Sequence, residues 1–163
     1  MDANIALAET LRLLGVRLDA APCRWTVISS AAVAVYTGDA TGVGDVDVLV
    51  DEADAAAAFG ALGLPMAPGH GTDRFRSRLF GQWQEAPLTV ELFAGFELFS
   101  QGEWHEVRIE TRLQALFQGV QTYVPTADEL AAMLRRFGRE KDLMRAALLN
   151  TQQGDPSATN ALS

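Results

Sequence analysis

Asp45-Val46-Asp47-Val48-Leu49-Val50 constrains this chain more than any other stretch. Polar and apolar residues alternate and then give way to an apolar run, the pattern of a strand with one end open to solvent. Successive strand side chains point to opposite faces, so Asp45 and Asp47 share one face while Val46, Val48 and Val50 enter the core from the other. At the usual rise per residue their Cα atoms lie about 7 Å apart, close enough for leaning carboxylates to hold Mg²⁺ or Mn²⁺. The same alternation describes the wet face of any amphipathic strand, so the pair takes its meaning from its surroundings.

Those surroundings alternate helix and strand. Leu7, Leu11, Leu14 and Leu18 recur at helical spacing and predict an amphipathic helix over about 2–19. Arg24 to Ile28, β-branched and aromatic after Pro22, reads as a strand. It runs directly into a small-residue helix from Ser29 to Val35, closed by Gly38 and followed by a loop with Gly42 and Gly44. Asp51 is placed to cap an alanine-rich helix, with Asp54 at its third position. Strands are expected around Arg74–Phe80, Leu88–Phe93, Glu103–Glu110 and Gln121–Val124. Thr126-Ala127-Asp128-Glu129 has the form of a capping box opening a helix that Gly138 closes, and a last helix runs from about Arg139 to Asn150. The order predicts an α/β (α+β) fold: one domain over 1–150, a mixed sheet flanked by helices, and helices at the C-terminal end. Residues 151–163 have little to bury and are expected to be disordered.

A third acid joins the pair. Leu88, Val90 and Leu92 bury one face of their strand, which puts Glu91 with Thr89 and Phe93 on the other. If that strand neighbours the Asp45–Val50 strand, Asp45, Asp47 and Glu91 form a triad. Such a triad can hold two metals on triphosphate oxygens and supply the base for an acceptor hydroxyl. The helix opening at Ser29-Ser30 adds free backbone N–H groups and a positive dipole end, both suited to phosphate.

Net charge narrows the partners. At −8 the molecule repels a phosphate backbone as a whole, which excludes a broad nucleic-acid footprint. Arg135, Arg136, Arg139, Lys141 and Arg145 gather the cationic surface near the C-terminus. Cys23 is the only cysteine and lacks metal-ligand neighbours, which fits a reducing cytoplasm. No apolar run reaches membrane-span length, and the first residues lack the cationic start of a signal peptide.

A strand, a small-residue pair opening a helix, a glycine-containing loop and Asp-x-Asp together resemble the core of the DNA polymerase β-type nucleotidyltransferase superfamily. Thr126 to Leu148, with Gly138-Arg139 and Lys141-Asp142, is similar to the late signature of small bacterial AbiEii-like proteins. The resemblance spans about 24–150 and implies a nucleotidyltransferase-like fold that moves a nucleoside monophosphate from NTP to an acceptor. It implies that Asp45, Asp47 and Glu91 are the metal-binding and catalytic acids and that Ser29 and Ser30 touch the nucleotide. Arg139, Lys141 and Asp142 match an Arg-x-Lys-Asp element that lies near the substrate or anchors the last helices.

The chain also departs from that pattern. Ser29 stands where relatives carry glycine, Thr41 and Val43 where many carry Arg and Thr, Arg145 replaces an acid, and Glu91 is longer than the commoner Asp. A regulatory or antitoxin-like interaction module that keeps the fold without catalysis, bound to a protein partner, fits those departures. An acidic metal-binding domain without nucleotide chemistry is a third reading. Arg74, Arg76 and Arg78 would line one strand face, meeting triphosphate, a row of acids, or solvent. His70 and His105 read as loop and packing residues, and Trp25, Trp83 and Trp104, with Phe93 and Phe96, offer rings for stacking on a base but read chiefly as core.

Overall fold

The four leucines of the first helix are completely buried, and they set the floor on which the rest packs. In the computed structural model, which describes residues 1–150, helix α1 (Ala3–Leu18) opens on Asp2, whose carboxylate accepts from the Asn4 and Ile5 N–H groups. The expected tail at 151–163 lies outside the described residues. Thr10, also buried, donates its hydroxyl to the Ala6 carbonyl and accepts from the Leu88 N–H, tying α1 to the sheet.

The remaining elements follow in the order β1 (Trp25–Ile28), α2 (Ser29–Thr37), β2 (Asp45–Val50), α3 (Ala55–Ala61), β3 (Phe75–Trp83), β4 (Thr89–Ser100), β5 (Glu103–Glu106), β6 (Leu113–Phe117), β7 (Val120–Val124), α4 (Ala127–Phe137) and α5 (Glu140–Leu149). The main sheet runs β1-β2-β4-β3, with β5 pairing the far end of β4. β1 is antiparallel to β2, and β2 is parallel to β4. The expected mixed sheet flanked by helices is therefore present. Among the described residues, no helix is long and apolar enough to cross a membrane.

Three local expectations are corrected. Asp51 does not cap a helix: its carboxylate approaches Arg24 at 3.7 Å, and Asp54 accepts the Arg24 N–H at 2.9 Å. The Thr126 hydroxyl does accept the Glu129 N–H, but Glu129 does not reach back to close the box. Its carboxylate accepts from the Glu110 and Thr111 N–H groups instead, so it pins a segment that has left the sheet. That departure ends β5 at Glu106, four residues before the expected Glu110. The β6–β7 hairpin was legible only in its second strand. Leu113 to Phe117 has no β-branched residue, while Gln118-Gly119, at φ 50 and 77, makes the tight turn that pairs it with β7.

β4 turns over midway. Gly95 sits at φ 66, and the strand's facing changes there, so that Phe93 and Phe96 both border the cleft beside Glu91. A Cβ at 95 would lie 3.0 Å from Arg78 Cβ and from Glu52 Oε1. Gly95→Ala is expected to cost about 2 kcal/mol or more, through left-handed strain plus the clash, as a lowered urea midpoint at unchanged slope.

Candidate functional site

Backbone register builds the acidic cluster. The antiparallel ladder sets Ile28 opposite Asp47, and the parallel ladder sets Asp47 opposite Glu91. The end of β1, where α2 begins, thus lies beside Asp47. Val46, Val48, Val90 and Leu92 are completely buried on the other face, which fixes the acids' orientation. One carboxylate oxygen from each of Asp45, Asp47 and Glu91 lies within 4.8 Å of the others.

Three like charges at this range disfavour full ionisation. Burial first, then the charges of Asp45 and Glu91, push the Asp47 carboxyl from its ordinary 3.8 up to about 7; the Ser29 hydroxyl and Arg139 oppose the rise. Glu91 is likewise raised to about 7, by burial and then by its hydrogen bond and charge interaction with Asp45, against hydrogen bonds from Gln82 and Asp47. Asp47 Oδ1 is buried without a hydrogen-bond partner. An orphaned carboxylate oxygen among two further carboxylates fits a hard divalent cation, and the donor set, all oxygen, suits Mg²⁺ or Mn²⁺.

The other sequence-selected residues divide between two recesses. Ser29, Asp47, Glu91 and Arg139 line a cleft of about 170 Å³, walled by Phe75, Phe93, Phe96 and Phe137. Ser30 and Lys141 line a separate groove of about 340 Å³ between α2 and α5, together with Thr41 and Arg145. Ser29 and Ser30 therefore face different spaces. Ser29 adopts φ 56, the left-handed conformation that glycine takes most easily, so the backbone keeps a glycine-like turn while the side chain remains.

Arg139 owes its place to Asp142. Asp142 is fully buried and accepts the Arg139 guanidinium at 2.6 and 3.0 Å, as well as the Arg139 backbone N–H at 3.2 Å. The guanidinium also lies 5.0 Å from the Phe75 ring centre. Sequence reasoning singled out Phe93 and Phe96 of the phenylalanine wall but missed Phe75, Phe137 and Gln82, which the β3–β4 ladder places opposite Glu91. Gln82 carries no signal of its own, since only strand pairing brings it to the acid.

The arginine row meets acids and solvent. Arg76 pairs with Glu97 at 2.8 Å and Arg78 with Glu52 at 3.4 Å, while Arg74 donates to the Phe137 carbonyl. Trp25 and Trp83 are core residues, and Trp104 stacks under Arg76, 4.2 Å from its ring centre. His105 contacts the Ser100 carbonyl at 3.2 Å, away from the acids.

Raised carboxyl pKa values make the cluster a pH-dependent liability. The folded state favours the protonated acids, so its advantage is full below their unfolded values and is lost as pH rises toward 7. Asp47→Asn should therefore melt above the parent protein at pH 8 without metal, the gap closing at pH 5. Mn²⁺ should raise the parent's melting temperature and not the variant's, more strongly at pH 8 than at pH 6. Ser29→Gly should relieve left-handed strain but remove the hydroxyl that supports ionised Asp47, so denaturant titrations should show a gain of about 0.5–1 kcal/mol at pH 5 that shrinks or reverses at pH 8.

No protein-family model matches the sequence, and no curated protein matches it. Solved structures do. A provisionally assigned nucleotidyltransferase from Thermotoga maritima superposes with a TM-score of 0.66 at 22% identity, covering 86% of this chain and 91% of its own. The solution structure of the antibiotic-resistance factor ANT(2'')-Ia gives 0.62 at 9% identity, over 99% of this chain and 92% of its own. Its crystal structure with adenylyl-2''-tobramycin gives 0.56 at 8% identity, over 94% and 92%. At these identities the likeness concerns the fold, and on that evidence the chain adopts the fold of the nucleotidyltransferases.

Proposed function

We propose that the chain is a Mg²⁺- or Mn²⁺-dependent nucleotidyltransferase that moves a nucleoside monophosphate from an NTP to an acceptor hydroxyl. The observation that carries this is the convergence of Asp45, Asp47 and Glu91 within 4.8 Å beside the N-terminus of α2. A divalent cation held there would neutralise the triphosphate and polarise the α-phosphorus. Asp45 and Asp47 would hold it, Glu91 would complete the set and take the acceptor's proton, and the turn at Ser29-Ser30 would offer N–H groups to phosphate oxygens. Arg139, held by Asp142, balances charge at the cleft, and Lys141 extends the cationic edge along the groove with Ser30. Within this fold, Arg139-Glu140-Lys141-Asp142 supports placing the chain with small bacterial AbiEii-like proteins. A cytoplasmic setting accords with a lone Cys23 whose thiol is held in its protonated form by burial and by Asp54 and Asp19.

One observation favours a second reading, a catalytically silent regulatory or antitoxin-like module with a protein partner. Ser29 carries a Cβ at a left-handed turn where a phosphate would approach. Incubating the protein with α-labelled NTPs, Mg²⁺ or Mn²⁺ and cell extract separates the two. Label transfer that disappears in Asp45→Asn and Asp47→Asn is expected. Absence of transfer together with absence of metal-dependent NTP binding in calorimetry overturns the enzyme and leaves the module.

A further inference from the structure

We infer that an aromatic pocket beside Glu91 seats the acceptor, and that the acceptor is an uncharged aromatic alcohol. This rests on the nucleotidyl-transfer reading for its chemistry, and on the pocket for its specificity. The pocket holds about 230 Å³ and is walled by Phe75, Phe80, Phe93 and Phe96, with Gly69, His70, Gly71 and Thr72 along its rim. Phe75, Phe93 and Phe96 also wall the carboxylate cleft, so the two spaces adjoin across shared rings.

Position in the sheet distinguishes acceptor from donor. The order β1-β2-β4-β3 puts the phosphate-facing turn at the β1 side and the phenylalanine pocket at the β4–β3 side, with the acids between. A triphosphate at the α2 N-terminus and an acceptor over β4 therefore approach from opposite flanks, as in-line displacement demands.

Chemistry of the lining narrows the acceptor. Apolar cavities of about 150 Å³ accept benzene, so this space suits one or two fused rings. Phe75 and Phe96 stack at 5.6 Å with 19° between planes, and Phe93 lies tilted 5.1 Å from both Phe96 and Phe80, offering faces and edges to a further ring. Among the described residues the lining holds Arg76, whose charge is engaged by Glu97 at 2.8 Å, and His70 at the rim. No carboxylate among the described residues borders the pocket to receive an ammonium group. A polycationic sugar would lose its hydration there without compensation, whereas an uncharged ring gains. A phenol suits the step particularly, because its pKa of about 10 makes its proton easier to remove than an aliphatic hydroxyl's. The acceptor oxygen forms a bond to the α-phosphorus, the bond to the β-phosphate oxygen breaks, the hydroxyl proton passes to Glu91, and pyrophosphate leaves.

The test pairs binding with transfer. Saturation-transfer NMR with p-cresol and 2-naphthol on the full chain, without metal, should show ring contact that weakens at least about fivefold in Phe80→Ala and in the pocket-filling Ser77→Leu. Both residues border the pocket and not the carboxylate cleft. With Mn²⁺ and α-labelled NTPs, label should pass to these alcohols, and not to glycerol or tobramycin, with an acceptor KM raised by Phe80→Ala at unchanged NTP affinity. Ring contact absent from the parent, contact indifferent to both variants, or transfer favouring tobramycin or glycerol overturns the assignment. Ring contact without transfer to any acceptor counts instead against the nucleotidyl-transfer reading.

Discussion

The ladders that clasp β2 between β1 and β4 hold together three carboxylates that would otherwise repel. None of the three acids supplies the energy of its own placement. The valines and leucine behind them are wholly buried, and a one-residue slip of β2 would turn its core side chains to the cleft and its acids inward. Register is therefore enforced by the hydrophobic face and exploited by the polar one. The consequence is a cluster that retains protons near neutral pH and releases them most readily to a cation.

The cleft's other wall depends on a second buried constraint. Asp142 is out of solvent, takes its hydrogen bonds from Arg139 and has Arg145 as a second cation at 3.9 Å. A buried carboxylate with its guanidinium in place is satisfied, whereas removing either partner leaves an uncompensated polar group. Because Arg139 opens α5 just after Gly138 closes α4, this pair also fixes how the last two helices meet. The charge facing the acids and the packing of the C-terminal helices are thus one arrangement.

Much of the architecture could be read locally. The leucine spacing of α1, the glycine ends of α2 and α4, and the alternation of β2 each appear in the structure within a residue or two. Elements went astray where side chains replaced backbone partners. Glu129 and Arg24 hold residues 109–111 by hydrogen bonds to their backbone, so a segment that reads as strand leaves the sheet. Asp51 and Asp54 have a cap's composition, yet Arg24 engages both.

By itself the sequence determined that Asp45 and Asp47 share a face, that Glu91 lies opposite its strand's core residues, and that a helix begins at Ser29-Ser30. Those are properties of periods of two and of chain direction, and they need no partner. Only the tertiary structure decided that the two acidic strands are neighbours in parallel register, and that Ser29 faces the acids while Ser30 faces another groove. It alone brought Gln82 and four phenylalanines to the same place. Pairing between distant strands is set by the summed burial of both faces, and a left-handed residue such as Gly95 redirects side chains in a way that no periodicity announces.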